Sequence, residues 1–242
     1  MIELFRDIFA PPRHLILLVL AIWLGATLAE KRSERYGISK DDLSTLVYYG
    51  FIGFIIGGRV SFALQNISAF IQSPLSIFSV NPDLFDTFGG MAVFIIIALV
   101  LGQRRNLSFW STLDALTPLF AILAIGLSLS HLAAGTAFGI PTTQPWGIDL
   151  WNAVRHPTQI YTTIASLLIF GLLWFQKQNL RAGFLFLTFA SLTAGTQIFL
   201  GIFRANSILM FNGIKQEQFI SLVLLILCFL FIELRYTQTK TT

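Results

Sequence analysis

The sequence predicts an all-α integral membrane protein with about seven transmembrane helices, on three observations. Only 12% of the 242 residues are charged, where soluble domains carry about 25%. Mean hydropathy is +0.74. The apolar residues fall into runs close to the ~20 residues that a helix needs to cross a hydrocarbon core of ~30 Å. A fold with so little charge does not cover a surface in water, so its solvent is largely lipid.

Seven segments carry these runs: Arg13–Ala29, Leu46–Leu64, Gly89–Leu101, Leu113–Ser130, Gln159–Phe175, Gly183–Ile202 and Phe219–Leu234. The first reads as an uncleaved anchor: a signal peptide has its positive charge ahead of the apolar stretch, whereas here Arg6 and Arg13 precede it alongside Glu3 and Asp7 and the basic excess, Lys31, Arg32, Arg35 and Lys40, follows. The third is shortest and needs help from Leu84 and Phe85, or a re-entrant start, to span.

Orientation follows from the basic residues. With the N-terminus outside, the inner side holds ten of them: Lys31, Arg32, Arg35, Lys40, Arg104, Arg105, Lys177, Arg181, Arg235 and Lys240. The outer side holds five (Arg6, Arg13, Arg155, Arg204 and Lys215), and Arg59 falls within a helix. The excess predicts N-out and C-in. The longest connections, 65–88, 131–158 and 204–218, are then external, with Trp146 and Trp151 as interfacial anchors. There is no internal repeat, and the expectation is one membrane domain, 1–242.

The net charge of +4 reads as topology-setting charge, and no basic stripe interleaved with aromatics points to nucleic acid. Cys228 sits in an apolar run as a small hydrophobe, and no Cys/His pair has metal-ligand spacing, so no metal is expected. All twelve carboxylates lie in loops, tails or helix ends, which leaves an ion-driven transporter without a proton relay. Ser130, His131 and Asp149 are near one another in sequence, but nothing supports a hydrolase triad.

Arg59 closes a run of small residues, Gly50, Gly53, Gly57 and Gly58, spaced for close helix approach. It reads either as a functional intramembrane cation or as one that snorkels to the outer headgroups. Arg155-His156-Pro157-Thr158-Gln159-Ile160-Tyr161 is the densest polar cluster at a membrane boundary. Pro157 fits the first helical position, and a guanidinium beside a helix N-terminus suits a lipid phosphate. The competing reading is a headgroup-level anchor. Gly135 and Gly139 repeat the four-residue spacing, and Asp114 and Pro118 suit a helix start and a kink.

In this order the pieces resemble the prolipoprotein diacylglyceryl transferase family over about residues 15–235. The carrying residues are Tyr49-Gly50-Phe51 to Gly57-Gly58-Arg59, Gly89-Gly90, Asp114, Pro118, Gly135, Gly139, Arg155-His156-Pro157 with Gln159 and Tyr161, Arg204, Gln218 and Ser221. The resemblance implies a multi-pass protein of the bacterial cytoplasmic (inner) membrane, N-out and C-in. It also implies a role in lipoprotein biosynthesis, with diacylglyceryl moved from phosphatidylglycerol to a lipoprotein cysteine. The residues it marks for lipid binding are Arg59, Gly135, Gly139, Arg155, His156, Gln159, Tyr161 and Arg204.

The departures from the family pattern fall where its chemistry lies. Phe88 stands in place of a His, and Ser128, His131, Ala134 and Thr136 in place of an Arg, two Asn and a Glu. Thr162 replaces a Glu, Gln197 and Gly201 replace an Arg and a Glu, and Phe9 and Ala10 offer no counterpart of an N-terminal tyrosine. The expectation is therefore a pseudoenzyme that lacks most of the family's catalytic charges. It would bind phospholipid and serve as an accessory or structural subunit among other membrane proteins. No cofactor beyond a phospholipid is expected. The alternative is an active diacylglyceryl transferase using His156, Tyr161, Arg155 and Arg204.

Overall fold

Each of the seven apolar runs is a helix in the computed structural model, which describes residues 2–79, 81, 84–176, 181–210 and 213–237. Of the residues used above, Asp83, Lys177 and Lys240 lie outside the described ones. The helices in chain order are α1 (Ile2–Ile8), α2 (Leu15–Ser33), α3 (Lys40–Gln65), α4 (Ile67–Gln72), α5 (Thr87–Arg104), α6 (Phe109–Ala134), α7 (Thr158–Trp174), α8 (Phe184–Leu200) and α9 (Gln216–Thr237). Two short antiparallel hairpins, β1 (Ile148–Asp149) with β2 (Val154–Arg155) and β3 (Leu209–Met210) with β4 (Ile214–Lys215), occupy two of the connections. Among the described residues, α3, α5, α6, α8 with its following turn, and α9 are long and apolar enough to cross a membrane. At 17 residues α7 is shorter, and α2 carries the first apolar run but ends on Glu30, Lys31 and Arg32.

The chain packs as two compact units, one formed by Met1–Ala29 with Leu113–Thr242 and the other by Glu30–Thr112. In the second unit, α3 and α5 approach backbone to backbone. A Cβ on Gly57 would meet the Gly89 carbonyl oxygen at 3.0 Å, and one on Gly90 would meet that of Phe54 at 2.8 Å. Gly50, Gly53 and Gly57 of α3 thus face α5, and the space left by their missing side chains is filled by Phe94, Ile97 and Val93 of α5. Ser39 caps α3, its Oγ accepting from the Asp42 amide at 3.1 Å, and Asp42 pairs with Arg105 at 2.6 Å.

The short third segment of the sequence reading becomes an 18-residue helix. Its extra length comes from Thr87, Phe88 and Gly102–Arg104, not from Leu84 and Phe85. The cause is an N-cap: Asp86 Oδ1 accepts from Phe88 N at 3.1 Å and Oδ2 from Gly89 N at 3.0 Å. Phe85 instead covers Gly58 and lies tilted against Phe54, ring centres 5.1 Å apart. Arg59 donates to the carbonyls of Leu84 and Asn81, both at 2.9 Å, and so ties α3 to the segment ahead of α5.

In the first unit α6 is the central helix. Its apolar stretch is 61% buried against 11% for α9, so α9 turns most of its surface outward. Leu224, Phe229 and Leu230 are exposed there, as are Leu168 and Leu172 on α7, and lipid is the solvent that accommodates them. Gly25 of α2 lies against the α6 backbone, where a Cβ would meet Leu119 Cα at 2.9 Å.

Asp114, 2% exposed near the start of α6, does serve a helix start, but that of α8. Its Oδ2 accepts from Gly183 N at 2.6 Å and its Oδ1 from Phe186 N at 2.8 Å. Arg181 and Arg235, both assigned to the inner side, meet at that same end. Arg235 donates to the Ala182 carbonyl at 3.1 Å and Arg181 to that of Tyr236 at 3.0 Å.

Candidate functional site: a polar cavity between apolar helices

A cavity of about 450 Å³ opens in the first unit between α6, α7, α8 and the start of α9. Polar side chains on otherwise apolar helices line it: Ser128 and His131 from α6, Thr158, Gln159, Thr162 and Ser166 from α7, and Thr193, Thr196 and Gln197 from α8. The mouth holds Gly201, Arg204, Glu217 and Ser221.

Helix α7 sets the inner wall. The chain enters it through Pro157, which stands as the N-cap one residue ahead of the helix, and the entry is pinned by side chains of the first turn. Thr158 Oγ1 donates to the Ala137 carbonyl at 2.7 Å, and Gln159 Nε2 to that of Thr136 at 2.7 Å. That second bond fixes which way the Gln159 amide faces, since only its nitrogen can donate. Its Oε1 is buried with no partner, on a side chain 2% exposed at the cavity wall.

Several wall hydroxyls have their single proton already placed. Ser128 Oγ donates to the Ala124 carbonyl at 2.9 Å and Thr162 Oγ1 to that of Thr158 at 2.8 Å. This back-bonding onto the previous turn leaves oxygen lone pairs for anything that enters.

Arg204 follows the short helical turn Gly201–Phe203, and its Nη1 pairs with Glu217 Oε2 at 2.8 Å. Lys215, two residues before Glu217, places its Nζ on the carbonyls of Gly201 (2.7 Å), Ile202 (3.1 Å) and Arg204 (2.5 Å). A cation there complements the negative end of α8. Lys215 and Glu217 thus fasten the β3–β4 hairpin and the start of α9 to the end of α8.

The Arg155–Tyr161 string splits between wall and support. Arg155 Nε donates to the Leu150 carbonyl at 2.9 Å and Nη1 to that of Gly139 at 3.4 Å, with its guanidinium 5.0 Å from the centre of the Phe138 ring. His156 Nδ1 lies 3.2 Å from Tyr161 Oη, which accepts from Trp146 Nε1 at 2.8 Å. The His156 tautomer decides which of the two donates in that contact. Gly139 is bridged to Arg204, and a Cβ there would collide with the His156 carbonyl. Gly135 ends α6 at φ +67° and receives Trp151 Nε1 on its carbonyl at 2.8 Å.

Of the residues marked for lipid binding, Gln159 and Arg204 therefore reach the cavity. Arg155, His156, Gly135 and Gly139 build the loop beside it, Tyr161 supports that loop from the first turn of α7, and Arg59 belongs to the second unit. The residues that sequence reasoning missed are Thr158, Lys215 and Glu217. An acidic residue in the first turn of a helix, two positions after a lysine, was the available signal for the last two.

Seven apolar helices packed around a polar-lined cavity define a multi-pass α-helical membrane protein. The family model described as prolipoprotein diacylglyceryl transferase matches residues 14–234. The chain belongs to that family, and with it to the multi-pass proteins of the bacterial inner membrane. Its similarity to relatives named phosphatidylglycerol–prolipoprotein diacylglyceryl transferase is moderate. It is 28% identical to one from Coxiella burnetii over 66% of this chain and 63% of the relative. It is 27% identical to one from a Shewanella species over 75% and 71%, and 30% identical to one from Aliivibrio salmonicida over 65% and 57%. The match thus spans somewhat less than two thirds of the Coxiella relative's length.

Proposed function

We propose that this chain is a lipid-binding member of the family that does not carry out the transfer, and that it acts as an accessory or structural subunit of a membrane complex. One observation carries the proposal: the arginine at the cavity mouth, Arg204, is paired with Glu217, which leaves the pair with no net charge. Five of the ten positions read as departures from the family pattern, Ser128, His131, Thr162, Gln197 and Gly201, line that same cavity, whereas Phe9, Ala10, Phe88, Ala134 and Thr136 do not. Diacylglyceryl transfer from phosphatidylglycerol needs a thiol of pKa ~8.5 made nucleophilic and cations on the departing glycerol phosphate. Losing one preorganised stabiliser costs about 10²–10³ in rate. Arg155 does not replace one here, because its Nε and Nη1 serve backbone carbonyls. A polar pocket of about 450 Å³ among apolar helices suits a lipid headgroup.

The test is transfer itself. Purified protein, phosphatidylglycerol and a lipobox peptide are expected to give no thioether product above background, and the gene is expected not to rescue a strain depleted of its own transferase. Product at a rate comparable with that of an active relative overturns the proposal. Co-purification from native membranes is expected to bring down the partner proteins, and a chain recovered alone counts against the subunit role.

A second reading, an active transferase that moves diacylglyceryl from phosphatidylglycerol to a lipoprotein cysteine, is favoured by the Trp146–Tyr161–His156 hydrogen-bond chain and by the relatives' names. It requires that His156→Ala abolish the product.

A further inference from the structure

We propose that residues 66–79, between α3 and α5, form an uncharged interfacial anchor whose apolar side chains insert into the outer leaflet just below the headgroups. The inference concerns the second unit alone and is independent of what the cavity binds. Two contacts set the membrane level on α3. At the inner end Asp42 pairs with Arg105, the residue that follows α5, at 2.6 Å. At the outer end Ser61 Oγ donates to Asp86, the cap of α5, at 2.5 Å. The nineteen residues from Asp42 to Ser61 rise about 28 Å at ~1.5 Å each, close to the thickness of a hydrocarbon core. From Ser61 the helix runs on to Gln65, about 6 Å further out, and breaks at Asn66. The far end of the connection is held near the same level, because the Asn81 carbonyl accepts from Arg59 at 2.9 Å. Residues 66–79 thus leave from the hydrocarbon boundary and return to it.

Their side chains suit that depth. Phe70 of α4 packs back on Phe62 of α3, ring centres 6.2 Å apart, which leaves Ile67 and Ile71, one turn apart, on a different face. Leu75 and Phe78 are three residues apart in the 3₁₀ turn Pro74–Phe78 and so share an edge. Ile67, Ile71, Leu75 and Phe78 are exposed by 58%, 73%, 80% and 82%, which in water would be a patch without a solvent. The lipid-facing surface of α3 and α5 continues toward them through exposed Val60, Leu64 and Phe88, which makes phospholipid the occupant. From Val60 to Pro82 the sequence has no Asp, Glu, Lys or Arg. Interfacial helices that rely on charge carry Lys and Arg on the polar face. This segment has neither, so apolar area alone inserts it, into zwitterionic and anionic surfaces alike.

The experiment uses the full chain with Cys228→Ala and a single environment-sensitive fluorophore attached through Ile71→Cys, Phe78→Cys or Gln72→Cys. Gln72 is an exposed polar residue on another face of α4. Each protein is reconstituted in phosphatidylcholine vesicles, with and without phosphatidylglycerol. Quenching is read with aqueous iodide and with spin labels placed shallow or deep on the lipid acyl chain. Labels at positions 71 and 78 are expected to be quenched about threefold less by iodide than the label at 72, in keeping with insertion of about 5–10 Å. They are expected to respond to the shallow spin label more than to the deep one, equally in both vesicles. Iodide quenching as strong at 71 and 78 as at 72 overturns the proposal. Protection from iodide without response to either spin label means that a protein covers the segment, and overturns it too. Insertion only with phosphatidylglycerol present overturns the charge-independent mechanism. All replaced side chains except Cys228 are exposed, and the melting temperature of each variant reports that α3 and α5 remain packed.

Discussion

Replacing Asp114 with alanine removes the one side chain that satisfies the N-terminus of α8. The carboxylate is 2% exposed and holds two backbone amides, Gly183 N at 2.6 Å and Phe186 N at 2.8 Å. Loss of a helix cap costs about 0.5–2 kcal/mol. A buried donor left unsatisfied costs about 1–3 kcal/mol, and here there are two in a site that water does not reach. The terms overlap, since one of those donors is the cap bond itself, so the sum is about 2–4 kcal/mol. At about 2–4 °C per kcal/mol for a chain of this size, the melting temperature falls by roughly 10 °C. The assay is tryptophan fluorescence on heating in detergent, with Asp149→Ala as the control. Asp149 is exposed on β1, and its loss is expected to stay within about 0.5 kcal/mol. An Asp114→Ala protein that melts together with the wild type refutes the capping argument.

Gly90→Ala is expected to disrupt the α3–α5 pair, since its Cβ would meet the Phe54 carbonyl oxygen at 2.8 Å, whereas Gly102→Ala on the same helix meets nothing within 4 Å and is expected to be neutral or to stabilise by up to ~1 kcal/mol; melting curves of the two variants check the contrast. The Asp86 carboxyl is held below its ordinary value chiefly by the Ser61 hydroxyl at 2.5 Å, with the Gly89 and Phe88 amides adding to this against partial desolvation. A depressed folded value makes this contribution complete above the unfolded carboxylate pKa of ~3.9 and progressively lost as pH falls below it. Melting temperatures between pH 6 and pH 3 are therefore expected to fall less steeply in Ser61→Ala. Lys215→Met is expected to cost about 1–3 kcal/mol by freeing three carbonyls at the end of α8, read as earlier unfolding and faster amide exchange in Gly201–Arg204.

Apolar run length alone located the seven helices, because a bilayer enforces that length on each of them. Their ends were less legible. The start of α5 was written in the sequence as Asp86, an N-cap residue just ahead of the helix, yet the apolar count began at Gly89 and sought its missing turn in Leu84 and Phe85. The cap of α8 was invisible for another reason: Asp114 and Gly183 are 69 positions apart, and nothing in either local segment marks the other. The site divides in the same way. The Arg155–Tyr161 string stood out as a cluster of polar residues, but which of them face the cavity depends on carbonyls of the preceding loop that carry no side-chain signature. Arg155 turns to Gly139 and Leu150, whereas Gln159 turns to the wall. The pairing of Arg204 with Glu217 depends on the β3–β4 hairpin, whose strands are too short for any alternation to announce.

The glycine seam between α3 and α5 bears on how the protein assembles after its helices enter the bilayer. A glycine has no rotamers to surrender when it is pressed against a neighbour, so at Gly57 and Gly90 only the opposing Val93 and Phe54 side chains lose freedom, where a leucine interface orders side chains on both helices. The two helices can therefore couple as soon as both are inserted, before the chain that follows Thr112 has been threaded into the membrane, and so give the nascent protein its first fixed pair.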